Sequence, residues 1–215
     1  MGRLHTLSAG ALMLCVAALA LPGPARAFTA LVVGDSIGAA YGLAEEEGWV
    51  ALAEARLQEE WPEVRLVNAS ISGDTTGGGL RRLPDALLRF EPDLVVIELG
   101  GNDGLRGYPP ETMRENLEAM TRLAEEAGAE VLILGMMIPS NYGRAFTERF
   151  GRAFVEAAEA TGAELVPFLL EPIAEDRAYF QPDGIHPTAA AQPLLAEHVL
   201  PALRELVAEA EDETS

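Results

Sequence analysis

Lysine is missing from this chain altogether, and cysteine and histidine are nearly so. All 15 basic residues are arginine, set against 34 acidic ones. Without lysine there is no P-loop, whose lysine reaches the phosphates. The acidic excess also makes nucleic acid and anionic membrane surfaces poor partners, because both are bound through basic patches. A saline habitat would account for the surplus acid and the missing lysine together, since surface carboxylates keep an exported protein soluble; a GC-rich genome would account for arginine alone. The one cysteine, Cys15, lies near the N-terminus, so the rest of the chain has neither disulfides nor thiol chemistry. Nor is there an apolar run of the roughly 20 residues that a membrane-spanning helix needs.

The first 27 residues read as a secretory signal. Arg3 stands near the start, Ala11 to Leu21 is apolar, and Pro22 and Gly23 precede Ala25-Arg26-Ala27, an Ala-x-Ala cleavage site. Cleavage there starts the mature protein at Phe28, and the expected location is periplasmic or secreted, with no stable membrane insertion after processing. Residues 28–215 then form one domain with a single core, expected to be a monomer. Losing Arg3 and Arg26 leaves 13 basic residues against 34 acidic, a formal charge of −21.

Strand-like runs near residues 29–34, 64–69, 94–99, 130–135 and 164–166 alternate with helical patterns near 48–60, 80–89, 112–127, 144–161 and 189–210. That alternation predicts a three-layer α/β/α fold around a five-stranded parallel sheet. Leu94 to Ile97 and Val131 to Leu134 are apolar without alternation, as strands covered on both faces should be. In such sheets ligands bind beyond the carboxyl ends of the strands. With flavodoxin-like order 2-1-3-4-5, the loops after the second and third strands flank the loop after the first.

The small polar residues fall on that edge. Gly34-Asp35-Ser36 follows the first strand, Asn68 to Thr75 the second, and Gly100-Gly101-Asn102-Asp103-Gly104 the third, so Ser36 is expected between Gly73 and Asn102. Gly34 and Gly38 are expected to let the backbone turn sharply around the serine. Acyl transfer needs a nucleophile, a base, a group that orients the base, and donors for the developing oxyanion. Two histidines remain after the signal. His198 falls in the last helical stretch, where packing or exposure explains it. His186 sits in the turn-rich Gln181-Pro182-Asp183-Gly184-Ile185-His186-Pro187, where the Asp183 carboxylate can fold back onto one ring nitrogen. Asp35 and Asp103 read as turn-holding residues, and Ser70 and Ser72 as turn residues.

Gly34-Asp35-Ser36-Ile37, the Gly73 segment, Gly100-Gly101-Asn102-Asp103 and Asp183-Gly184-Ile185-His186-Pro187 resemble, in order, the four blocks of the SGNH or GDSL hydrolases. Asn68 to Thr75, Glu98 to Gly107 and Pro139 to Gly143 are similar to the exported bacterial arylesterase, acyl-CoA thioesterase I and lysophospholipase L1 group. The resemblance implies Ser36 as nucleophile, His186 as general base and Asp183 as its orienting carboxylate. It implies oxyanion donors at the Ser36 and Gly73 N–H groups and the Asn102 amide, with no cofactor and no metal. Ile37 departs from the more usual Leu, a swap of similar volume.

Met136, Met137, Ile138 and Tyr142 follow the fourth strand on the same edge and are expected to form the lip of an acyl groove. The expected function is an exported serine esterase acting on carboxylic esters, acyl thioesters or lysophospholipids through an acyl-enzyme. Two other readings stand beside it: a flavodoxin-like module that binds phosphate or another small ligand without catalysis, and a metal-dependent phosphatase built on Asp35, Asp183 and His186.

Overall fold

A computed structural model describes residues 27–214, so the signal assignment falls almost wholly outside the described residues. In chain order the main elements are β1 (Thr29–Gly34), α1 (Trp49–Gln58), β2 (Arg65–Asn68), α2 (Thr76–Phe90), β3 (Leu94–Glu98), α3 (Gly101–Leu105), α4 (Pro110–Glu126), β4 (Glu130–Leu134), α5 (Arg144–Thr161), β5 (Glu164–Val166) and α6 (Gln192–Thr214). The strands form one sheet in the order β2-β1-β3-β4-β5, with every neighbouring pair parallel. The sheet order and class expected from the sequence are those observed.

β1 and β3 form the buried centre of the sheet. Every residue of β3 is buried, as are all of β1 after Thr29. Helices cover both faces, so these strands have no solvent side and need no polar alternation. The exception in composition is Glu98, the last residue of β3 and fully buried. Its backbone pairs with Gly34 at the end of β1, which brings its side chain beneath the turn that follows.

Two helices differ from the expectation. α2 begins at Thr76 rather than near Leu80, although Gly77, Gly78 and Gly79 are poor helix formers. Tertiary bonds override propensity here: the Thr76 N–H and hydroxyl both donate to Asp103, at 2.9 and 2.6 Å, and Thr75 caps the helix through Gly78 N–H. The short α3, which carries Asn102, was expected as loop. Five residues containing two glycines leave no helical periodicity to detect.

Candidate active site

The turn after β1 carries Ser36. It is closed by the Ala39 N–H donating to Asp35 O (3.0 Å), the Ala40 N–H to Ile37 O (3.2 Å) and the Tyr41 N–H to Ser36 O (3.0 Å). Neither Gly34 nor Gly38 has a positive φ, so the expected conformational reason for these glycines is wrong. Space is the reason. A Cβ on Gly34 would lie 2.5 Å from Glu98 Oε2, and one on Gly38 would lie 2.9 Å from the same atom. The missing side chains make the room that the Glu98 carboxyl and the Ser70 hydroxyl fill.

Ser36 and His186 are 150 residues apart, yet His186 Nε2 lies 2.9 Å from Ser36 Oγ. Asp183 Oδ2 lies 2.7 Å from His186 Nδ1, and Asp183 Oδ1 accepts the Ile185 and His186 N–H groups at 2.9 and 3.1 Å. These donors, led by the His186 ring, lower the Asp183 carboxyl to about 2. An ionised Asp183 places the ring proton on Nδ1 and leaves Nε2 free to accept from the Ser36 hydroxyl.

The two loops are joined by residues that the sequence reading left without a role. Gln181 Nε2 donates to Tyr41 O (2.7 Å) and to Pro187 O (3.0 Å), which ties the β1 loop to the histidine loop. The Tyr41 ring lies over His186 with centroids 4.2 Å apart. Arg177 holds the Gln181 and Pro182 carbonyls, and a bridge between Phe180 and Pro187 closes the base of the loop. Neither Tyr41 nor Gln181 has a spacing that sets it apart in sequence; both act through contacts made across the sheet edge.

Gly73 has φ +81°, and the Asp74 N–H donates to Ile71 O across it, a turn position that favours glycine. Arg106 holds the Gly73 carbonyl at 2.9 Å. Asn102 Nδ2 donates to Asp35 Oδ2 at 2.9 Å, which leaves its second N–H for another acceptor. Asp35 Oδ1 accepts the Ile37 N–H, and Asp103 braces α3 against α2, so both acids hold loops as expected. Ser70 Oγ is buried under the turn without a hydrogen-bond partner, and Ser72 is exposed.

An apolar cavity of about 370 Å³ opens beside these groups, lined by Ile37, Gly101, Leu105, Met136, Met137, Ile138, Pro139, Phe168, Leu170, Ala174, Phe180, Gly184 and Ile185. Ile37, Gly101 and Ile185 are sequence neighbours of Ser36, Asn102 and His186, so the cavity adjoins the site. Met136, Met137 and Ile138 line it. Tyr142 does not; its hydroxyl donates to Leu105 O at 3.0 Å and so braces a residue that does. Phe168, Leu170 and Phe180 arrive from beyond β5, in a segment whose apolar residues follow no period. His198 Nε2 holds Phe168 O at 3.0 Å, a packing role. Among the described residues no three His, Cys, Asp or Glu side chains gather as metal ligands do.

Residues 32–193 match the GDSL-like lipase/acylhydrolase family. The chain is 51% identical to the esterase TesA of Pseudomonas aeruginosa over 90% of its own length and 96% of that protein's. It is 39% identical to the thioesterase 1/protease 1/lysophospholipase L1 of Escherichia coli, covering 85% and 86% of the two. A crystal structure of the psychrotrophic esterase EstA from Pseudoalteromonas sp., inhibited by monoethylphosphonate, superposes with a TM-score of 0.79 at 41% identity, covering 83% of this chain and 98% of that one. A phosphate-binding module without catalysis is not favoured by these likenesses. The chain belongs to the GDSL, or SGNH, lipase/acylhydrolase family and is an ester-hydrolysing enzyme of the esterase, thioesterase and lysophospholipase type.

Proposed function

We propose that the protein is an exported serine esterase that cleaves carboxylic esters, acyl thioesters or lysophospholipids through a covalent acyl-enzyme. The observation that carries this reading is the relay Asp183 Oδ2, His186 Nδ1, His186 Nε2, Ser36 Oγ, with links of 2.7 and 2.9 Å, at the mouth of an apolar cavity. Ser36 Oγ attacks the acyl carbonyl carbon as His186 Nε2 takes its proton. The carbonyl electrons become an oxyanion, which receives hydrogen bonds from the Ser36 and Gly73 N–H groups and the free N–H of Asn102. Collapse breaks the ester bond, and the leaving alcohol or thiol takes the proton back from the imidazolium. Water then attacks the acyl-enzyme by the same steps and releases the acid. The acyl chain lies along Met136, Met137 and Ile138. Inhibition of the related esterase EstA by monoethylphosphonate supports a tetrahedral intermediate of acyl transfer, which a phosphonate mimics. The reading takes the enzyme to be a monomer that uses neither cofactor nor metal.

Fluorophosphonate labelling followed by peptide mapping tests the mechanism. The label is expected on Ser36, stoichiometrically and in the presence of chelator; label elsewhere, or none, sinks the serine reading. Export is tested separately by the intact mass of the secreted protein, which should begin at Phe28. A secreted form that still carries Met1 rejects the signal.

A further inference from the structure

Beneath Ser36 lies a pair of buried acids that the relay does not use. Glu98 ends β3 with no solvent exposure, and Asp35, in the turn, is 2% exposed. Glu98 Oε2 accepts the Asp35 N–H at 3.0 Å and the Gly38 N–H at 2.9 Å, one on each side of the nucleophile. Asp35 in turn divides its two oxygens. Oδ1 accepts the Ile37 N–H at 3.1 Å, and Oδ2 accepts Asn102 Nδ2 at 2.9 Å. A carboxyl at the end of an apolar central strand has a large desolvation cost, and Glu98 Oε1 has no hydrogen-bond partner among the described residues. Packing alone would be served better by the leucine or isoleucine found elsewhere in that strand.

We propose that Glu98 and Asp35 are positioning residues for acyl transfer: Glu98 anchors the nucleophile turn to β3, and Asp35 fixes which end of the Asn102 amide faces the reacting carbonyl. This rests on the serine esterase reading above. An asparagine amide can sit in either of two orientations, and only one presents N–H groups to an oxyanion. Asp35 Oδ2 accepts from Asn102 Nδ2, which keeps the amide nitrogen on that side and holds its second N–H at a fixed angle to the turn. Burial, and then the charge of Asp35, push the Glu98 carboxyl well above the usual range; burial also raises Asp35, against the Ile37 N–H and the Asn102 amide that favour its charged form, so a charge on both members is disfavoured.

Asp35→Asn separates this from a merely structural role. The Ile37 N–H still demands an oxygen, so the new amide turns its nitrogen toward Asn102, which must flip its own oxygen round to meet it. Labelling of the wild type at Ser36 is read first. Asp35→Asn is then expected to lower kcat by about 10²-fold with KM within about threefold, as an oxyanion donor lost only in the transition state would. In the double variant Asp35→Asn/Asn102→Ala the loss should be no greater than in Asn102→Ala alone, because both changes remove one interaction. Glu98→Leu should slow both turnover and labelling by about tenfold or more, and Glu98→Gln, which keeps an acceptor oxygen, should restore most of that rate. Labelled wild type with additive losses in the double variant, or Glu98→Leu labelling as fast as wild type, overturns the positioning role and leaves the serine reading standing. A wild type not labelled at Ser36 overturns the serine reading instead. The Asp35 cycle decides the question whether or not Glu98→Leu folds.

Discussion

Asp183 reaches Ser36 through His186 and Glu98 holds the Ser36 turn through its backbone, and their surroundings treat them in opposite ways. Asp183 is partly exposed, accepts three hydrogen bonds and is held down at about 2. Glu98 is sealed under the turn, accepts two, and burial drives its carboxyl up. The same functional group thus keeps its charge easily where water can solvate it, and has its charged form disfavoured where water cannot reach. In the proposed mechanism the exposed side stabilises a charge that appears on the histidine. The buried side is built to keep the backbone still.

The comparison is broken most severely at the relay. Ser36→Ala is expected to abolish ester turnover and phosphonate labelling, while Ser70→Ala, which removes a buried hydroxyl that has no partner, keeps both. Turnover is measured with a p-nitrophenyl ester and labelling by intact mass. A Ser70→Ala variant that loses activity without losing its fold would move the nucleophile. Next in size is Asn102→Ala, expected to lower kcat by about 10² to 10³, or roughly 3 to 4 kcal/mol, with KM nearly unchanged. An increase in KM alone would show that Asn102 binds the ground state.

The pH dependence sharpens the same contrast. Asp183 has a folded pKa below its ordinary value of 3.8, so its contribution to stability is present above that value and is lost as pH falls through about 2. Glu98 has a folded pKa above 4.5, so the folded state keeps a proton that the unfolded state releases, and stability falls as pH rises from there. The titratable and charged groups facing this pair are His186 beyond Asp35, and Arg82 of α2, which holds Gly34 O at 3.1 Å and is itself paired with Asp74. Melting temperatures of Glu98→Gln should lose part of the downward slope above pH 4.5, the rest coming from Asp35, which burial also raises, and those of Asp183→Asn should lose the rise between pH 2 and 4. Slopes equal to wild type in both variants would mean that neither carboxyl is perturbed.

Most of the sheet could be read from the sequence, because β-branched runs and turn residues are local signals. Ser36, Gly73 and Asn102 could be picked out because each lies in a small polar block after a strand, and Asp183 and His186 because they lie in a turn-rich segment before the last helix. Glu98 could not, although an acid closing the run Leu94 to Ile97 was in plain view. Its role depends on β1 and β3 being adjacent in register, so that Glu98 pairs with Gly34 and finds the space left by two glycines. Tyr41, Gln181 and the far wall of the cavity escaped for the same reason, since each acts on a partner more than 100 residues away or in an irregular segment. Tyr142 was placed on the correct edge but one layer behind the surface it was expected to form.

The smallest effect expected is at the cavity wall, and it asks whether the apolar side of the site can be altered without disturbing the polar side. Ile138 is half-buried, lines the cavity and packs close to Gly104 of α3. Each methylene taken from water is worth about 0.8 kcal/mol, so a trimmed wall should weaken long acyl chains and leave short ones alone. Ile138→Ala is therefore expected to lower kcat/KM for octanoyl esters several-fold more than for acetyl esters, with the acetyl rate close to wild type. If Ile138 served only as core, both esters would lose equally, and the melting temperature would fall by an amount matching the roughly 2 to 5 kcal/mol of a core Ile→Ala change. Its partial exposure argues for the smaller stability loss. Measuring the two esters and the melting curve on one variant separates these outcomes, because a wall residue changes the ratio of the two rates and a core residue changes only their common scale.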